Sequence, residues 1–385
     1  MNKYKLLVTY VEAGMGHIVS AEAIANALEK YYPDEVEIHR CRIFAETNDK
    51  VLIDYEKFLI DVVRRSNQNN TNMYFMFFIL NIVSPLFSLK FVHNLVFRKE
   101  KEKAIEIIKS YNPDMVISTH FAPLHFSIEA QKKYNLNYLT MCYCPDPNVH
   151  KWWDRRVDLL VVNNKYGYEE CIKKDHIPAE NVFLGRFILR KKILETPIDR
   201  VFMRKKYGLP IDNFTIILAD GAYAKANLKK FADAFLKINK KFTLLIIAGK
   251  NEKLYEYYKG IQSDNITIKV YRFVEDAHEL YCAANLFVTK AGPNAILDSV
   301  YMETPIMANY YASPIEKFTK KLYIDEYQVG VYCDKAKEAS KMVEQYIDNP
   351  SLLDQYRDNC IKFKKEGTGE KIIADRIMEE LRKKK

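Results

Sequence analysis

Short runs of β-branched and aliphatic residues alternate with amphipathic stretches along almost the whole chain. Residues 5–10, 36–40, 114–119, 138–142 and 159–163 read as strands in the first half. Residues 215–219, 243–248, 266–270, 286–289 and 305–309 do so in the second. Between them, 20–32, 101–110 and 227–240 repeat their apolar residues at the helical period. Strands that are apolar nearly throughout, separated by helices, predict parallel sheet buried on both faces. The rhythm lapses between Arg190 and Gly208, where Thr196-Pro197 precedes a charged helical stretch that ends in Gly208-Leu209-Pro210. The prediction is therefore an α/β protein of two doubly wound, Rossmann-like domains facing across a cleft, residues 1–195 and 196–385. The strand-free, charged tail from about residue 351 is assigned to the second domain as terminal helices that pack across both.

One segment follows neither period. Residues 73–89 are rich in Phe, Met, Ile and Leu, including Phe75, Phe77, Phe78 and Phe87. Arg64 and Arg65 precede the segment, and Lys90, Arg98 and Lys99 follow it. Aromatic bulk flanked by cations suits docking on an anionic membrane surface, where each cation gains about 1 kcal/mol. A core helix or a dimer contact would use the same residues.

Composition narrows the class. Apolar residues make up 48% and charged residues 28%, which excludes a disordered chain. The seven cysteines are scattered without a C-x-x-C pair, so neither a zinc knuckle nor a disulfide framework is implied and a reducing compartment is expected. The start, with Lys3 and Lys5 before a short apolar run, lacks a signal peptide's length and cleavage site and reads as a buried strand. No run reaches the roughly 18 apolar residues of a membrane-spanning helix. The chain is thus expected on the cytoplasmic face of a membrane, as a peripheral protein. The net charge of +9 points to an anionic partner, lipid surface or nucleotide phosphates, or to a solvated basic face. The basic end, Arg382 to Lys385, fits membrane attraction or plain solvation. No basic patch interleaves with aromatics as in nucleic-acid modules, so nucleic acid is not an expected partner.

Candidate chemistry gathers at strand ends. Gly14-Met15-Gly16-His17 follows the first strand and opens the first helix, where glycines permit close approach and free N–H groups attract an anion. Asp146 and His150, with Trp153, follow another strand end, the position at which open α/β sheets bind ligands. A carboxylate beside an imidazole suits general-base work on a hydroxyl. His120 and His125 flank Pro123 after a third strand and read either as acceptor-lining or as ordinary loop histidines. In the second half, Lys290-Ala291-Gly292-Pro293-Asn294 is again strand, turn and helix, suited to a diphosphate, with Asp298 one turn on for ribose hydroxyls. Gly221 and Gly249-Lys250-Asn251 add two loops on the same edge.

The ordered set Gly-x-Gly-His, Asp146-x-x-x-His150-x-x-Trp153, Gly221-Ala222, Gly249-Lys250-Asn251 and Lys290-Ala291-Gly292-Pro293 resembles the diacylglycerol glycosyltransferases. That family spans plant-type monogalactosyldiacylglycerol synthases and bacterial processive diacylglycerol glucosyltransferases, and the similarity runs from about Lys3 to Ile347. The resemblance implies a GT-B fold and an inverting, metal-independent hexosyltransferase with no cofactor. Its donor would be a UDP-sugar held by the C-terminal domain, and its acceptor diacylglycerol or a glycolipid on the N-terminal one. It implies that the Gly292-Pro293 loop holds the diphosphate, Asp298 the ribose, Phe273 and Val274 the uracil, with Asn294 in the same nucleotide-sugar set, and that Asp146 or His17 serves as base. Three positions depart from the family. Ser313-Pro314-Ile315-Glu316 stands for Pro-Gly-Gln-Glu, keeping Glu316 but not the Gln; Asp298 stands for Glu; Pro145 stands for Thr. Other readings are a GT-B transferase with a polyprenyl-linked or soluble acceptor, a nucleotide-sugar epimerase, and a non-catalytic nucleotide-sugar or lipid binder.

Overall fold

The computed structural model describes residues 3–12, 15–66, 97, 99–150, 152–221, 226–311 and 314–384. The candidate docking residues Phe75, Phe77, Phe78, Phe87 and Lys90 lie outside the described residues, as does Gly14. The chain divides into two compact units, one built from the described residues up to Arg190 together with Thr368–Lys385, the other from Lys191–Gly367.

The first unit is a parallel sheet of six strands, β1 Tyr4–Thr9, β2 Val36–Cys41, β3 Met115–Ser118, β4 Leu139–Cys144, β5 Leu159–Val162 and β6 Val182–Leu184. They run in the order β2-β1-β3-β4-β5-β6, and every pairing is parallel. Because side chains alternate along a strand, neighbours feed opposite layers. Leu7, Val116, Cys142, Leu160 and Val162 pack on one face, and Leu6, Val8, Ile117, Met141, Tyr143 and Val161 on the other. Ten of these eleven side chains are aliphatic or sulfur-bearing, which explains why the strands read as continuous apolar runs rather than alternating ones.

The second unit repeats the plan with β7 Thr215–Ala219, β8 Phe242–Ile247, β9 Ile266–Tyr271, β10 Leu286–Thr289, β11 Ile306–Ala308 and β12 Gly330–Tyr332. Its order is β12-β11-β10-β7-β8-β9, again parallel throughout. The two strands that the apolar pattern does not announce, β6 and β12, are three-residue edge strands. An edge strand lacks one covering neighbour, so its composition drifts toward loop. β12 also needs Gly330, since a Cβ there would stand 1.9 Å from the Ile306 carbonyl oxygen.

The tail differs from the sequence-based assignment. Helix Asp354–Lys365 stays with the second unit, but the last helix, Glu370–Lys384, belongs to the first. Its apolar stripe, Ile373, Ala374, Ile377, Met378 and Leu381, joins Ala21, Ile24 and Leu28 of helix Met15–Tyr31 in one buried layer. The join is close-packed: a Cβ on Gly369 would lie 2.0 Å from the Gly185 carbonyl oxygen, and Gly369 N–H donates to Phe187 O at 2.6 Å. The boundary between units falls at Arg190/Lys191, at the start of the predicted linker. All seven cysteines are free and buried. Among the described residues no helix is long and apolar enough to cross a membrane.

Candidate active site

In the first unit the carboxyl ends of β1, β3, β4 and β5 supply the chemistry, as expected of an open parallel sheet. Gly16 and His17 sit in the first turn of helix Met15–Tyr31. His17 Nδ1 lies 2.5 Å from the carbonyl oxygen of Thr119, the residue after β3, and Thr119 Oγ1 donates back to His17 O at 2.8 Å. A carbonyl only accepts, so Nδ1 carries the hydrogen and a neutral ring presents its lone pair at Nε2. Burial holds the imidazole below its ordinary pKa, although Asp146 and the Thr119 carbonyl pull the other way. His17 is therefore held as a neutral base in one tautomer.

Asp146 follows β4 and meets His150 across 3.4 Å, from Oδ2 to Nε2. Burial raises its carboxyl, but the hydrogen bond from His150, together with the fields of His150 and His17, outweighs burial and leaves it below the usual carboxylate range. The buried Trp153 indole N–H, which has no hydrogen-bond acceptor of ordinary geometry, also favours the Asp146 anion. The Trp153 ring centroid lies 5.9 Å from His150 and 6.4 Å from His17. His17, Asp146, His150 and Trp153 thus gather at one sheet edge. His120 caps helix Phe121–Tyr134, its Nδ1 accepting from Ala122 N at 3.1 Å, and meets His17 edge-on at 4.5 Å. His125 is turned instead to Asp154, 3.3 Å away, which Arg156 also binds.

Two asparagines escaped the sequence reading. Asn163 and Asn164, both buried, follow β5. Asn163 Nδ2 faces the carbonyls of Cys144, Pro145 and Asp146 at 3.3, 2.8 and 3.2 Å. Asn164 Nδ2 donates to Pro147 O at 2.8 Å while its Oδ1 caps helix Lys165–Lys173 through Gly167 N at 2.9 Å. A loop with proline on both sides of Asp146 has few N–H groups of its own to anchor it. Its carbonyls are held from below by these two amides. The only sequence signal was an Asn pair at the junction of a strand and a helix, where Asn is a common N-cap.

The second unit gathers its loops at the carboxyl ends of β7, β8, β10 and β11. Gly221, with φ +72°, and Gly292, the N-cap of helix Pro293–Tyr301, both border Lys290: a Cβ on either would come within 3.8 and 3.4 Å of Lys290 Cε. Lys290 Nζ is ion-paired with Glu316 Oε1, and both side chains are mostly buried. Beside them lie buried Asp220 and Tyr310, whose phenol is pushed up by burial and by the Asp220 and Glu316 charges. Asn309, 1% exposed, has neither amide atom in a hydrogen bond. Gly249 takes φ +60°, and Asn251 caps helix Glu252–Lys259 through Leu254 N at 3.1 Å. Phe273 is exposed, with Lys250 Nζ 5.8 Å from its ring centroid, and Val274 beside it is half-buried. Asn294 is exposed and Asp298 half-buried on helix Pro293–Tyr301. Among the described residues His39, Cys41 and Glu46 bring three potential metal-ligand atoms within 4.8 Å, but on edge strand β2 and the short helix Ile43–Glu46 after it, not on the segments that carry His17 and Asp146.

Two parallel Rossmann-type sheets in tandem, each with its polar and glycine-bearing loops at its carboxyl edge, make a GT-B fold. Solved structures share the fold over the whole chain. MurG of Acinetobacter baumannii superposes with a TM-score of 0.63 at 13% identity, covering 98% of this chain and 100% of that one. Arabidopsis thaliana UGT89C1 in complex with UDP-L-rhamnose gives 0.62 at 12% identity, covering 99% and 100%. The enzyme is a glycosyltransferase whose residues 17–184 match the monogalactosyldiacylglycerol synthase family and whose residues 222–308 match the glycosyltransferase family 28 C-terminal domain. Relatives include a processive diacylglycerol beta-glucosyltransferase of Bacillus thuringiensis, 22% identical over 380 residues, covering 98% of this chain and 94% of the relative. Monogalactosyldiacylglycerol synthase 2 of Arabidopsis thaliana is 24% identical, with coverage of 93% and 77%.

Proposed function

We propose that this glycosyltransferase moves a hexose from a UDP-sugar to diacylglycerol, or to a glycolipid derived from it, at a membrane surface, with inversion and without a metal ion. The observation that carries the reading is the His17 ring. Its imidazole is biased toward the neutral form, its tautomer is fixed by Thr119 O, and it lies in the field of the Asp146 carboxylate, which is itself held below the usual range. Relatives named for diacylglycerol supply the acceptor class.

In the reaction His17 Nε2 takes the proton of the acceptor hydroxyl as its oxygen bonds to the anomeric carbon. The bond from that carbon to the β-phosphate oxygen breaks, and UDP leaves with the electron pair. Asp146 stabilises the imidazolium that forms, the role a buried carboxylate beside a catalytic histidine suits. The N-terminus of helix Pro293–Tyr301 and Lys290 offset the charge on the leaving diphosphate. An α-linked donor then gives a β-glycoside.

The test is sugar transfer from UDP-glucose and UDP-galactose to diacylglycerol in anionic liposomes, with chelator present, beside Asp146→Asn. A β-linked glycolipid from wild type, reduced about 100-fold or more in the variant, is expected. An α-linked product would contradict inversion. Transfer only to soluble or polyprenyl-linked acceptors would replace the lipid assignment, and loss of transfer with chelator would overturn metal independence.

A further inference from the structure

The second unit has a cavity at the amino edge of its sheet, the edge opposite the Gly221 and Gly292 loops. Asn285 and Pro305, the residues just before β10 and β11, form its floor. Arg200, Arg357, Ser351 and Asp354, with apolar Pro350 and Leu353, line the rest of a volume of about 270 Å³. Arg200, in the first turn of helix Arg200–Lys206, is the unusual member. Its Nε is buried with no acceptor, and among the described residues its guanidinium has no carboxylate ion pair. Burial, reinforced by the charges of Arg357 and Arg204, pushes it down to about 10. Arg204 is already committed to Ala283 O, Asn285 Oδ1 and Ile211 O. Glu303, whose charge also acts on Arg200, is shared between Lys364 at 3.1 Å and Arg357 at 3.6 Å.

A guanidinium whose Nε is buried without an acceptor, beside two like charges, is stabilised when an anion completes it. Residues Pro350–Leu353 form a 3₁₀ turn that runs into helix Asp354–Lys365, so the positive end of a helical stretch also opens on the cavity. Asp354 is the one acidic residue in the lining, against two arginines of which Arg357 also reaches Glu303.

We propose that this cavity is a second anion site that binds a phosphate group between the Arg200 and Arg357 guanidinium forks. Planar guanidinium matches phosphate oxygens in a bidentate way that a lysine pair would not. The phosphate is either free or carried on a lipid headgroup, and the site stands apart from the donor loops whatever sugar they hold.

The experiment is thermal unfolding of the full chain in inorganic phosphate against chloride at equal ionic strength, with saturating UDP present, for wild type, Arg200→Gln and Arg357→Gln. Wild type should gain roughly 3 °C or more in excess phosphate. Arg200→Gln should melt in chloride at or above the wild-type temperature, because an unpaired charge is gone, and should show no phosphate-specific gain. Arg357→Gln, altered at a half-exposed position, should show a reduced gain. A full phosphate gain in Arg200→Gln, or no gain over chloride in wild type, overturns the proposal. So does a large loss of stability of Arg200→Gln in chloride, which would make Arg200 a structural residue. Sedimentation with phosphatidylcholine vesicles, with and without phosphatidic acid, assigns the source. Arg200-dependent capture by phosphatidic acid points to a headgroup, and its absence alongside the phosphate gain points to free phosphate.

Discussion

The two sheet edges differ in how their polar groups are balanced. At the first, protein partners fix both proton and charge: Thr119 O sets the His17 tautomer, His150 holds Asp146 ionised, and Asn163 and Asn164 hold the loop between the prolines. At the second, Lys290 and Glu316 neutralise each other and the Asn309 amide has no partner. The first edge fixes the His17 tautomer and the Asp146 charge without a ligand. The second is internally compensated, so a charged ligand must exchange with an ion pair already there. Preorganisation of this kind favours the group that acts in the transition state, while an exchangeable pair favours a group that must bind and release.

The sharpest way to break the contrast is at His17. His17→Ala should lower the rate of sugar transfer by about 10²- to 10⁴-fold, with little change in the apparent affinity for UDP. Equal losses in rate and UDP affinity would join the two edges into one binding site.

Lys290→Gln should act in the opposite sense, on donor binding and stability. It leaves Glu316 buried without its cation, a loss of about 3–5 kcal/mol on denaturant unfolding. The double variant with Glu316→Gln should recover most of that stability while UDP titration still reports weakened binding. Recovery of both would reduce the pair to a structural ion pair.

Asn163→Ala should cost less, about 1–3 kcal/mol from buried carbonyls that lose their donor. Transfer should fall more through rate than through donor affinity, because the loop that carries Asp146 loosens. A variant as stable as wild type would remove the asparagine support from the account.

Legibility in the sequence follows the same division. Ten strands announced themselves because buried parallel sheet requires apolar runs, and β6 and β12 did not because three residues at an edge carry no period. The strand-end loops were readable from glycines, prolines and titratable side chains. Thr119 was not, since it acts on His17 through its backbone carbonyl, which any residue has. Asn163 was hidden at the end of an apolar run, and its three carbonyl contacts exist only once β4 and β5 pair. The last helix was assigned to the neighbouring unit in sequence because helical periodicity identifies an apolar face but not the surface that covers it. Gly185 and Gly369 make the observed packing possible.

The most direct test of the account is the pH dependence of kcat/KM for sugar transfer, which reports the groups of the unliganded enzyme, for wild type beside His17→Ala. A base whose folded pKa is depressed is unprotonated above that value and is lost as pH falls through it. The ratio kcat/KM should therefore rise with pH to a plateau, with its midpoint below the ordinary histidine value of 6.5. The same rise should be absent from the residual activity of His17→Ala. An identical rise in both proteins would contradict His17 as the base.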